Sequence, residues 1–404
     1  MKVAFILTQT STGSAGSFVK THQICKHLKN YDIVPTILCP FNDDIKTVKD
    51  VEIELIPTFA SRLGLSSLSY KVARKMASST FTSGIFLSET LIKKMIKIIN
   101  SGLEKILIKK KFDIIYAIQP IAALAAAPLA REKNIPLVTE LNNIWPEEAI
   151  ISGKIERDDK TFHFLREIEQ QIIDSSNAVI VVSEFMKSYI LENYNASNTT
   201  FAIQTSVGPI LSQNNVTREK NVVYAGMVNP RSHVDLFAKS IPFVKHDASF
   251  FITNKGDSIK QIKKITKNFS NKVDYFWFPK WDDILKFLQK SSIGVLTASN
   301  DITWKIGHPQ KMFDYMACGL PVIANDVDGW WTEFIKKEQI GILVKDDPKD
   351  FAQCVDLMLD DDENWEKMHN NALELIRKKY NWNMSVKENL VPLFSQLLGE
   401  NLHN

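Results

Sequence analysis

Short apolar runs alternate with longer amphipathic segments along most of this 404-residue chain. In the first half the apolar runs are VAFIL (3–7), IVPTILC (33–39), VEIELI (51–56), DIIYAIQ (113–119), IPLVTEL (135–141) and AVIVVS (178–183). Most of them are apolar at successive positions, which predicts strands that are buried on both faces. Between them, segments such as FVKTHQICKHL and TFHFLREIEQQII carry apolar residues at helical spacing. This alternation predicts an α/β domain with a doubly wound parallel sheet.

The same rhythm restarts in the second half, at NVVYAGM (221–227), and continues through ASFFIT, VDYFWF, SIGVLTA, LPVIAN and IGILV. A polar segment, VGPILSQNNVTREKN, separates the two halves and is typical of a linker. We therefore predict a Rossmann-like domain over 1–206, a linker over 207–221, a second Rossmann-like domain over 222–380, and a final helix within 381–404 that returns to the first domain. Two such domains that face each other would place the carboxyl ends of both sheets around one ligand.

Composition narrows the class of protein. The chain is 45% hydrophobic and 24% charged, which is typical of a soluble globular protein. Its four cysteines are widely separated and lack CxxC or Cys/His spacing, so we expect neither a disulfide framework nor a zinc site. The apolar start is too short for a signal peptide, and no run approaches the roughly 18 apolar residues of a membrane span. A cytoplasmic protein is expected.

Positive charge is concentrated in one window, residues 59–111. Eleven Lys and Arg against two Glu give this window a net charge of +9, which leaves −6 for the rest of a chain whose total is +3. Within it, LSETLIKKMIKIINSGLEKILIKKK predicts a basic amphipathic helix whose polar side includes Lys93, Lys94, Lys97 and Lys105. The lysines could form a solvated face over a packed helix or contact anionic lipid head groups. No nucleic-acid-binding motif accompanies the charge, so a nucleic acid partner is not expected.

Several candidate functional residues lie close together in the stretch GHPQKMFDYMACGLPVIA (307–324). Pro309 suits the first turn of a helix, whose free amides and positive dipole end can bind phosphate. Lys311 would add a point charge there, and the carboxylate of Asp314 could accept hydrogen bonds from a ribose hydroxyl pair. Gly319 would supply a left-handed cap before the next strand. The alternative is a capped surface helix with an ordinary lysine and aspartate.

A second small-residue loop, TSTGSAGS, follows the first predicted strand. Gly13 and Gly16 would allow a ligand to approach the backbone closely, although a plain strand-to-helix turn has the same composition. The loop lacks a GxGxxG fingerprint with an acid about 20 residues later, so nicotinamide binding is not expected.

These segments, with ELNNIWPEE, IVVSEFMKSYI and NVVYAGMVNPRSHVDLF, resemble the GT-B glycosyltransferases of retaining family four. The sharpest match is PQKMFDYMACGLPVIA, and the resemblance covers nearly the whole chain. It implies a nucleotide-diphosphate sugar as donor and a displacement with retention, in which the leaving phosphate helps to deprotonate the acceptor. It also places Gly16 on the second glycine of the family's acceptor-side loop. The sequence shows no DxD-type acid cluster, and we expect no metal or other cofactor.

The chain departs from the family where an acid/base pair is common. Family members often carry His-Asp at the positions of Asn142 and Asn143. An asparagine can bind a sugar hydroxyl but does not exchange protons near neutral pH. Glu140 therefore remains the candidate carboxylate of this segment, unless it is only a surface acid at the end of a strand.

Further departures concern the donor side. Met227 and Ser232 stand where the family commonly has Arg or Lys, which leaves Arg231 as a shifted cation for the diphosphate. Ile306 replaces the glutamate of the family's fuller signature. His308, next to Pro309, is either a sugar contact or a structural histidine.

The prediction is a cytoplasmic glycosyltransferase, peripheral on the inner face of the cell membrane, that acts on a glycan or a lipid-linked acceptor. Glu140, Asn142 and Lys311 are the candidate catalytic residues, and the candidate donor-binding residues are Arg231, His308, Pro309, Lys311 and Asp314. Two alternatives stay open: a nucleotide-sugar epimerase of similar fold, and a catalytically silent subunit that binds a nucleotide sugar.

Overall fold

The computed structural model of the chain describes residues 1–8, 16–40, 50–57, 89–151, 153, 155–203, 207–211 and 218–399. They form two compact units, Met1–Gln204 with Ser385–Asn404, and Thr205–Met384. Each unit is built on one parallel sheet with helices along the connections. The predicted fold class, two Rossmann-like α/β domains, is confirmed.

The first unit contains a seven-stranded sheet in the order β3-β2-β1-β4-β5-β6-β7. Its strands are β1 (Lys2–Leu7), β2 (Val34–Cys39), β3 (Glu52–Leu55), β4 (Ile114–Ile118), β5 (Leu137–Glu140), β6 (Ala178–Val181) and β7 (Phe201–Ile203). Every residue of β4, β5 and β6 is buried, as the apolar runs predicted. Sequence reasoning missed β7 because its three half-buried residues are too few to show a pattern.

Helices connect the strands of this sheet. They are α1 (Gly16–Leu28), α2 (Glu89–Lys109), α3 (Pro120–Glu132), α4 (Trp145–Ile151), α5 (Lys160–Ser175) and α6 (Glu184–Asn193). Helix α2 buries its apolar stripe against the unit, since a Cβ at Gly102 would lie 2.4 Å from a methyl carbon of Ile56. The Asn100 side chain also donates to the carbonyl oxygen of Ala125 in α3, at 2.8 Å. The apolar side of the predicted amphipathic helix is therefore core.

The second unit contains a six-stranded sheet in the order β10-β9-β8-β11-β12-β13. Its strands are β8 (Asn221–Tyr224), β9 (Ser249–Thr253), β10 (Val273–Phe276), β11 (Ile293–Leu296), β12 (Val322–Asn325) and β13 (Gly341–Val344). Its helices are α7 (Val234–Ser240), α8 (Ile259–Thr266), α9 (Trp281–Leu288), α10 (Ile302–Ile306), α11 (Gln310–Ala317), α12 (Trp330–Glu338), α13 (Pro348–Asp360), α14 (Asp362–Lys378) and α15 (Trp382–Ser385).

The chain ends with a π-helical turn, Val386–Leu390, and helix α16 (Val391–Leu398). The last segment belongs to the first unit. There the ring of Phe394 packs edge-on against Tyr116 of β4, with 6.2 Å between ring centroids. None of the described helices combines the length and the apolar character needed to cross a membrane.

Candidate active site

Helix α11 of the second unit ends at a glycine cap. Gly319 has φ of 66°. Its N–H donates to the carbonyl oxygen of Met316 at 3.0 Å, and the N–H of Leu320 donates to the carbonyl oxygen of Tyr315 at 2.9 Å. These two bonds form a Schellman motif, so the predicted left-handed cap is confirmed. A Cβ at residue 319 would lie 2.4 Å from the ring of His369, which adds a steric reason for glycine.

Tyr315, in the C-terminal half of α11, holds this helix over the ends of two strands. This buried hydroxyl accepts from the N–H of Ala225, just after β8, at 2.9 Å, and donates to the Val295 carbonyl oxygen in β11 at 3.0 Å. Gly294 leaves room for the ring, since a Cβ there would lie 2.7 Å from it. Pro309 precedes the first helical residue, and no side chain caps this helix end. The first turn of α11 is thereby fixed beside the carboxyl end of β8.

Lys311, one turn before Tyr315, is held by aromatic groups. Its ammonium donates to the hydroxyl of Tyr224 at 2.9 Å and lies 4.4 Å from the centroid of that ring. The Trp304 ring lies 5.5 Å from the same ammonium. Lys311 forms no ion pair with any carboxylate in the part of the chain that the structure describes. Its positive charge is therefore stabilised by ring faces and a hydroxyl but not neutralised.

Gly226 makes room for this ammonium. A Cβ at residue 226 would lie 2.9 Å from the Lys311 Nζ and 3.0 Å from its Cε. The Gly226 N–H donates to the hydroxyl of Thr253 at 3.0 Å. Sequence reasoning did not select Tyr224, Gly226 or Trp304; the signal available was the glycine directly after the strand in NVVYAGM.

Arg231 is fixed near Trp304 through α10. Its guanidinium donates to the hydroxyl of Thr303, whose helix is capped by Asp301 at 2.9 and 3.2 Å. Met227 and Ser232, which stand where the resembling family commonly has Arg or Lys, make other contacts. The carbonyl oxygen of Met227 accepts from the Tyr224 hydroxyl at 3.0 Å, and the Ser232 hydroxyl caps a short 3-10 turn.

Asp314 has partners different from those of Lys311, although the two residues are only three positions apart on α11. Its carboxylate accepts from the Gln310 side-chain amide at 3.2 Å, and that amide also donates to the Val207 carbonyl oxygen at 2.8 Å. Burial raises the pKa of Asp314 to about 7, against the opposing effect of hydrogen bonds from Gln310 and Trp281. No cation among the described residues pairs with it.

His308 lies in an aromatic cluster. Its ring centroid is 3.8 Å from that of Trp330 and 5.1 Å from that of Phe313. Phe334 and Tyr380 extend the cluster, with 5.2 Å between their centroids. The ring of His308 therefore packs within this cluster, and a contact of His308 with the donor sugar stays a prediction.

In the first unit, Glu140 lies at the carboxyl end of β5 and is 1% exposed. It accepts from the Lys20 ammonium at 2.9 Å and from the hydroxyl of Tyr116. Burial favours a higher pKa for Glu140, but the charge of Lys20 and the hydrogen bonds from Tyr116, Lys20 and Asn142 hold it below its ordinary value. Glu140 is thus an ionised, paired carboxylate rather than a surface acid.

Asn142 joins the same cluster, since its side-chain oxygen accepts from Lys20 at 3.2 Å. The structure therefore brings Glu140 and Asn142 together through Lys20, which sequence reasoning missed because Lys20 lies on α1, about 120 residues earlier in the chain. Asn143 instead donates to Glu148 at 2.7 Å. Gly16 is the first residue of α1, whereas Gly13 lies outside the described residues.

The candidate membrane lysines lie on the polar side of α2. Lys94 and Lys97 are exposed, Lys105 is half-buried, and Lys93 pairs with Glu89 at 2.5 Å. Lys110, beyond the helix, pairs with Glu52 and Glu54 of β3 instead.

Solved structures define the class to which this two-unit fold belongs. Sucrose-phosphate synthase from Thermosynechococcus elongatus matches with a TM-score of 0.74 at 13% identity, over 98% of this chain and 99% of that one. HepE from Anabaena, solved in complex with UDP and glucose, matches with a TM-score of 0.70 at 14% identity, over 98% and 100%. The fold is that of the GT-B glycosyltransferases.

Sequence comparison gives the family. The Glycosyltransferase Family 4 model matches residues 80–203, and the Glycosyl transferases group 1 model matches residues 219–361. An uncharacterized glycosyltransferase of Methanocaldococcus jannaschii is 22% identical over 341 residues, 79% of this chain and 82% of the relative. The chain therefore carries a Glycosyltransferase Family 4 domain in its first unit and a Glycosyl transferases group 1 domain in its second. These matches do not favour the alternative of an epimerase.

Proposed function

We propose that this glycosyltransferase moves a hexosyl group from a nucleotide-diphosphate sugar to a glycan or lipid-linked acceptor, with retention at the anomeric carbon. The observation that carries the proposal is the unneutralised ammonium of Lys311, fixed beside Gly226 at the end of β8. A diphosphate would supply the missing anion, and the uncapped first turn of α11 would add main-chain donors.

The same groups suit the leaving of the nucleotide. Negative charge grows on the leaving phosphate as the sugar bond breaks, and a fixed cation beside it lowers the barrier. Lys311 would provide this charge, with Arg231 as a second cation on the Trp304 side. We therefore expect turnover without an added metal or cofactor, and activity that persists in a chelating buffer.

Proton transfer has a separate explanation. In a displacement on one face of the sugar, the leaving phosphate can take the proton of the acceptor hydroxyl, so the enzyme needs no base of its own. The ionised Glu140, already paired with Lys20 and Tyr116, is a weak base. We assign it, together with Asn142, the role of positioning groups on the acceptor side.

Nucleotide binding and turnover test this proposal in two steps. A thermal-shift panel of UDP, GDP, ADP and their sugars selects the donor, because a ligand at a hundred times its Kd stabilises the fold by about 2.7 kcal/mol. The UDP bound in HepE makes UDP-sugars the first to test. Nucleotide release then measures turnover, and NMR of the product's anomeric proton determines retention. Binding without any release would identify a silent subunit and contradict the proposal.

Helix α2 supports a peripheral contact with an anionic membrane. Lys94, Ile98, Lys105 and Ile108 follow each other at helical spacing on one side, and the two isoleucines are 40% and 69% exposed. Each lysine near an anionic surface contributes about 1 kcal/mol, screened within about 10 Å at 0.1 M salt. The exposed isoleucines would add apolar contact at the interface. We propose that this face binds the inner leaflet, near a lipid-linked acceptor.

Liposome co-sedimentation tests this contact. Changing Lys93, Lys94, Lys97 and Lys105 to Gln should strongly reduce binding to anionic vesicles at low salt, and neutral vesicles should bind neither form. Lys260, Lys263, Lys264 and Lys267, on or next to α8, are all exposed and form a control set of the same charge. An equal loss after changing the control set to Gln, or a native protein that stays in the supernatant, would show that the α2 face is only solvated.

A further inference from the structure

Gln119 has a backbone conformation that is unusual for its residue type. It lies directly after β4 and precedes α3, with φ of 74° and ψ of 161°. This region of backbone space is occupied almost only by glycine, and other residues there are found mostly at functional sites. A glycine at this position would remove the strain, so the glutamine side chain needs another explanation.

The side chain of Gln119 is also unsatisfied. The residue is 6% exposed, and its amide oxygen is enclosed without a hydrogen-bond partner among the residues that the structure describes. A buried amide without a partner destabilises a fold, and each such group in a native structure calls for an explanation. Strain and an unsatisfied amide therefore occur together in one residue.

Further unsatisfied donors lie next to it. Gln119 is the N-cap of the 13-residue helix α3 but makes no capping bond with its side chain. The N–H groups of Ile121 and Ala122, in the first turn, donate to no acceptor within the described ranges, and both residues are buried. This helix end thus presents main-chain donors beside the Gln119 amide.

The strand register places this helix end in the candidate acceptor side of the first unit. Ile118 pairs with Leu7 of β1 on one side and with Glu140 of β5 on the other. The N–H of Gln119 itself donates to the main-chain oxygen of Glu140 at 3.0 Å. Gln119 is therefore adjacent to the Lys20–Glu140–Asn142 cluster.

We infer that Gln119 and the first turn of α3 form a subsite for a hydroxyl group of the sugar acceptor. A hydroxyl can donate to the enclosed amide oxygen and accept from the free main-chain N–H groups, so it satisfies both kinds of partner. Phosphate suits the site less well, since its negative charge would lie close to the lone pairs of that oxygen. The inference rests on the proposed glycosyl transfer, and it makes Gln119 a specificity residue for the acceptor.

Three variants separate a binding role from a structural one. Gln119→Gly should raise Tm, because it removes both the strain and the unsatisfied amide, and should weaken sugar binding. Gln119→Leu should abolish the hydrogen bonds at similar side-chain volume, and Gln119→Asn should restore part of the binding. If Gln119 serves only the fold, Gln119→Gly should instead lower Tm.

Saturation-transfer NMR with the full-length protein measures the binding. Methyl glycosides of glucose, galactose and mannose serve as probes, and inorganic phosphate is followed by its ³¹P linewidth. We expect transfer to at least one glycoside from the native protein, at least fivefold less from Gln119→Leu, and an intermediate value from Gln119→Asn. UDP affinity, which tests the proposed function separately, should be the same in all four proteins.

Several results would overturn the inference. These are no transfer from the native protein, equal transfer from Gln119→Leu, or phosphate broadening that depends on Gln119. A lower Tm for Gln119→Gly would likewise show that the residue serves the fold.

Discussion

Each unit places a lysine near the carboxyl edge of its sheet, and the two lysines have opposite surroundings. Lys20 in the first unit is paired with the buried Glu140 at 2.9 Å and also contacts Asn142. Lys311 in the second unit contacts the hydroxyl and ring of Tyr224 and the ring of Trp304. The first lysine is neutralised within the protein, whereas the second keeps a net charge for a ligand.

The acids show the same contrast. Glu140 has a pKa below its ordinary value because Lys20 and its hydrogen bonds outweigh burial, whereas burial raises the pKa of Asp314 to about 7. Lys311 and Asp314 lie on the same helix, but their side chains make no hydrogen bond or ion pair with each other. In the first unit the charged groups are therefore paired with each other, whereas Lys311 and Asp314 form no ion pair within the described residues of the second. Removing Lys20 should accordingly lower the free energy of unfolding of the first unit. Removing Lys311 should instead weaken the binding of the nucleotide proposed for the second unit.

The largest effect is expected at the buried pair. Lys20→Met leaves Glu140 ionised without its cation, and the loss of one partner from a buried pair typically costs about 3 kcal/mol or more. Urea unfolding of the first unit should show this loss. The double variant Lys20→Met with Glu140→Gln should recover much of it, because no unpaired charge remains. A loss below about 1 kcal/mol for the single variant would mean that the pair behaves like a surface contact.

A smaller effect of opposite sign is expected for Asp314→Asn. The folded protein holds a proton on Asp314 up to about pH 7, whereas the unfolded chain releases it near pH 4. The free energy of unfolding of the native protein therefore decreases as the pH rises from about 4 to about 7. Asp314→Asn lacks the titrating group, so its free energy of unfolding should not show this decrease. A rise in pKa from about 4 to about 7 corresponds to about 4 kcal/mol at most. Because Asp314 is only half-buried, we expect a gain of about 2 kcal/mol at pH 8 and none at pH 3, together with weaker binding of the ribose.

Unfolding of native and Asp314→Asn protein across this pH range measures the gain. A stability difference that is constant with pH would rule out the titration of Asp314 as its cause.

Gly226→Ala should act on binding through Lys311. The added methyl would lie 2.9 Å from the ammonium, which can move because it ends a flexible side chain. We expect about tenfold weaker UDP binding, or 1.4 kcal/mol, with a nearly unchanged free energy of unfolding. The test is a double-mutant cycle, since Gly226→Ala should add little in the Lys311→Ala background. Additive losses would contradict a shared mechanism.

How much of this could be predicted from the sequence depends on how local each feature is. The Gly319 cap and the helix that carries Lys311 were predictable, because both are set by neighbouring residues of one short motif. The ring contacts of Lys311 were not, because Tyr224 lies 87 residues away on strand β8. For α2 the amphipathic pattern predicted both the helix and its packed apolar side, because the spacing of the residues is local. Gln119 gave no signal, since its residue type does not indicate a positive φ.

The central claim is that Lys311 holds the diphosphate of the donor, and calorimetry with two ligands tests it most directly. UDP and uridine differ by the diphosphate alone, so their affinities for native protein and Lys311→Ala separate that contact from the rest. Lys378→Ala, an exposed lysine of α14 paired with Glu374, is the matched control. The account predicts at least tenfold weaker UDP binding for Lys311→Ala, with unchanged uridine binding and an unaffected control. Equal UDP affinity in native protein and Lys311→Ala, or equal losses for UDP and uridine, would contradict it.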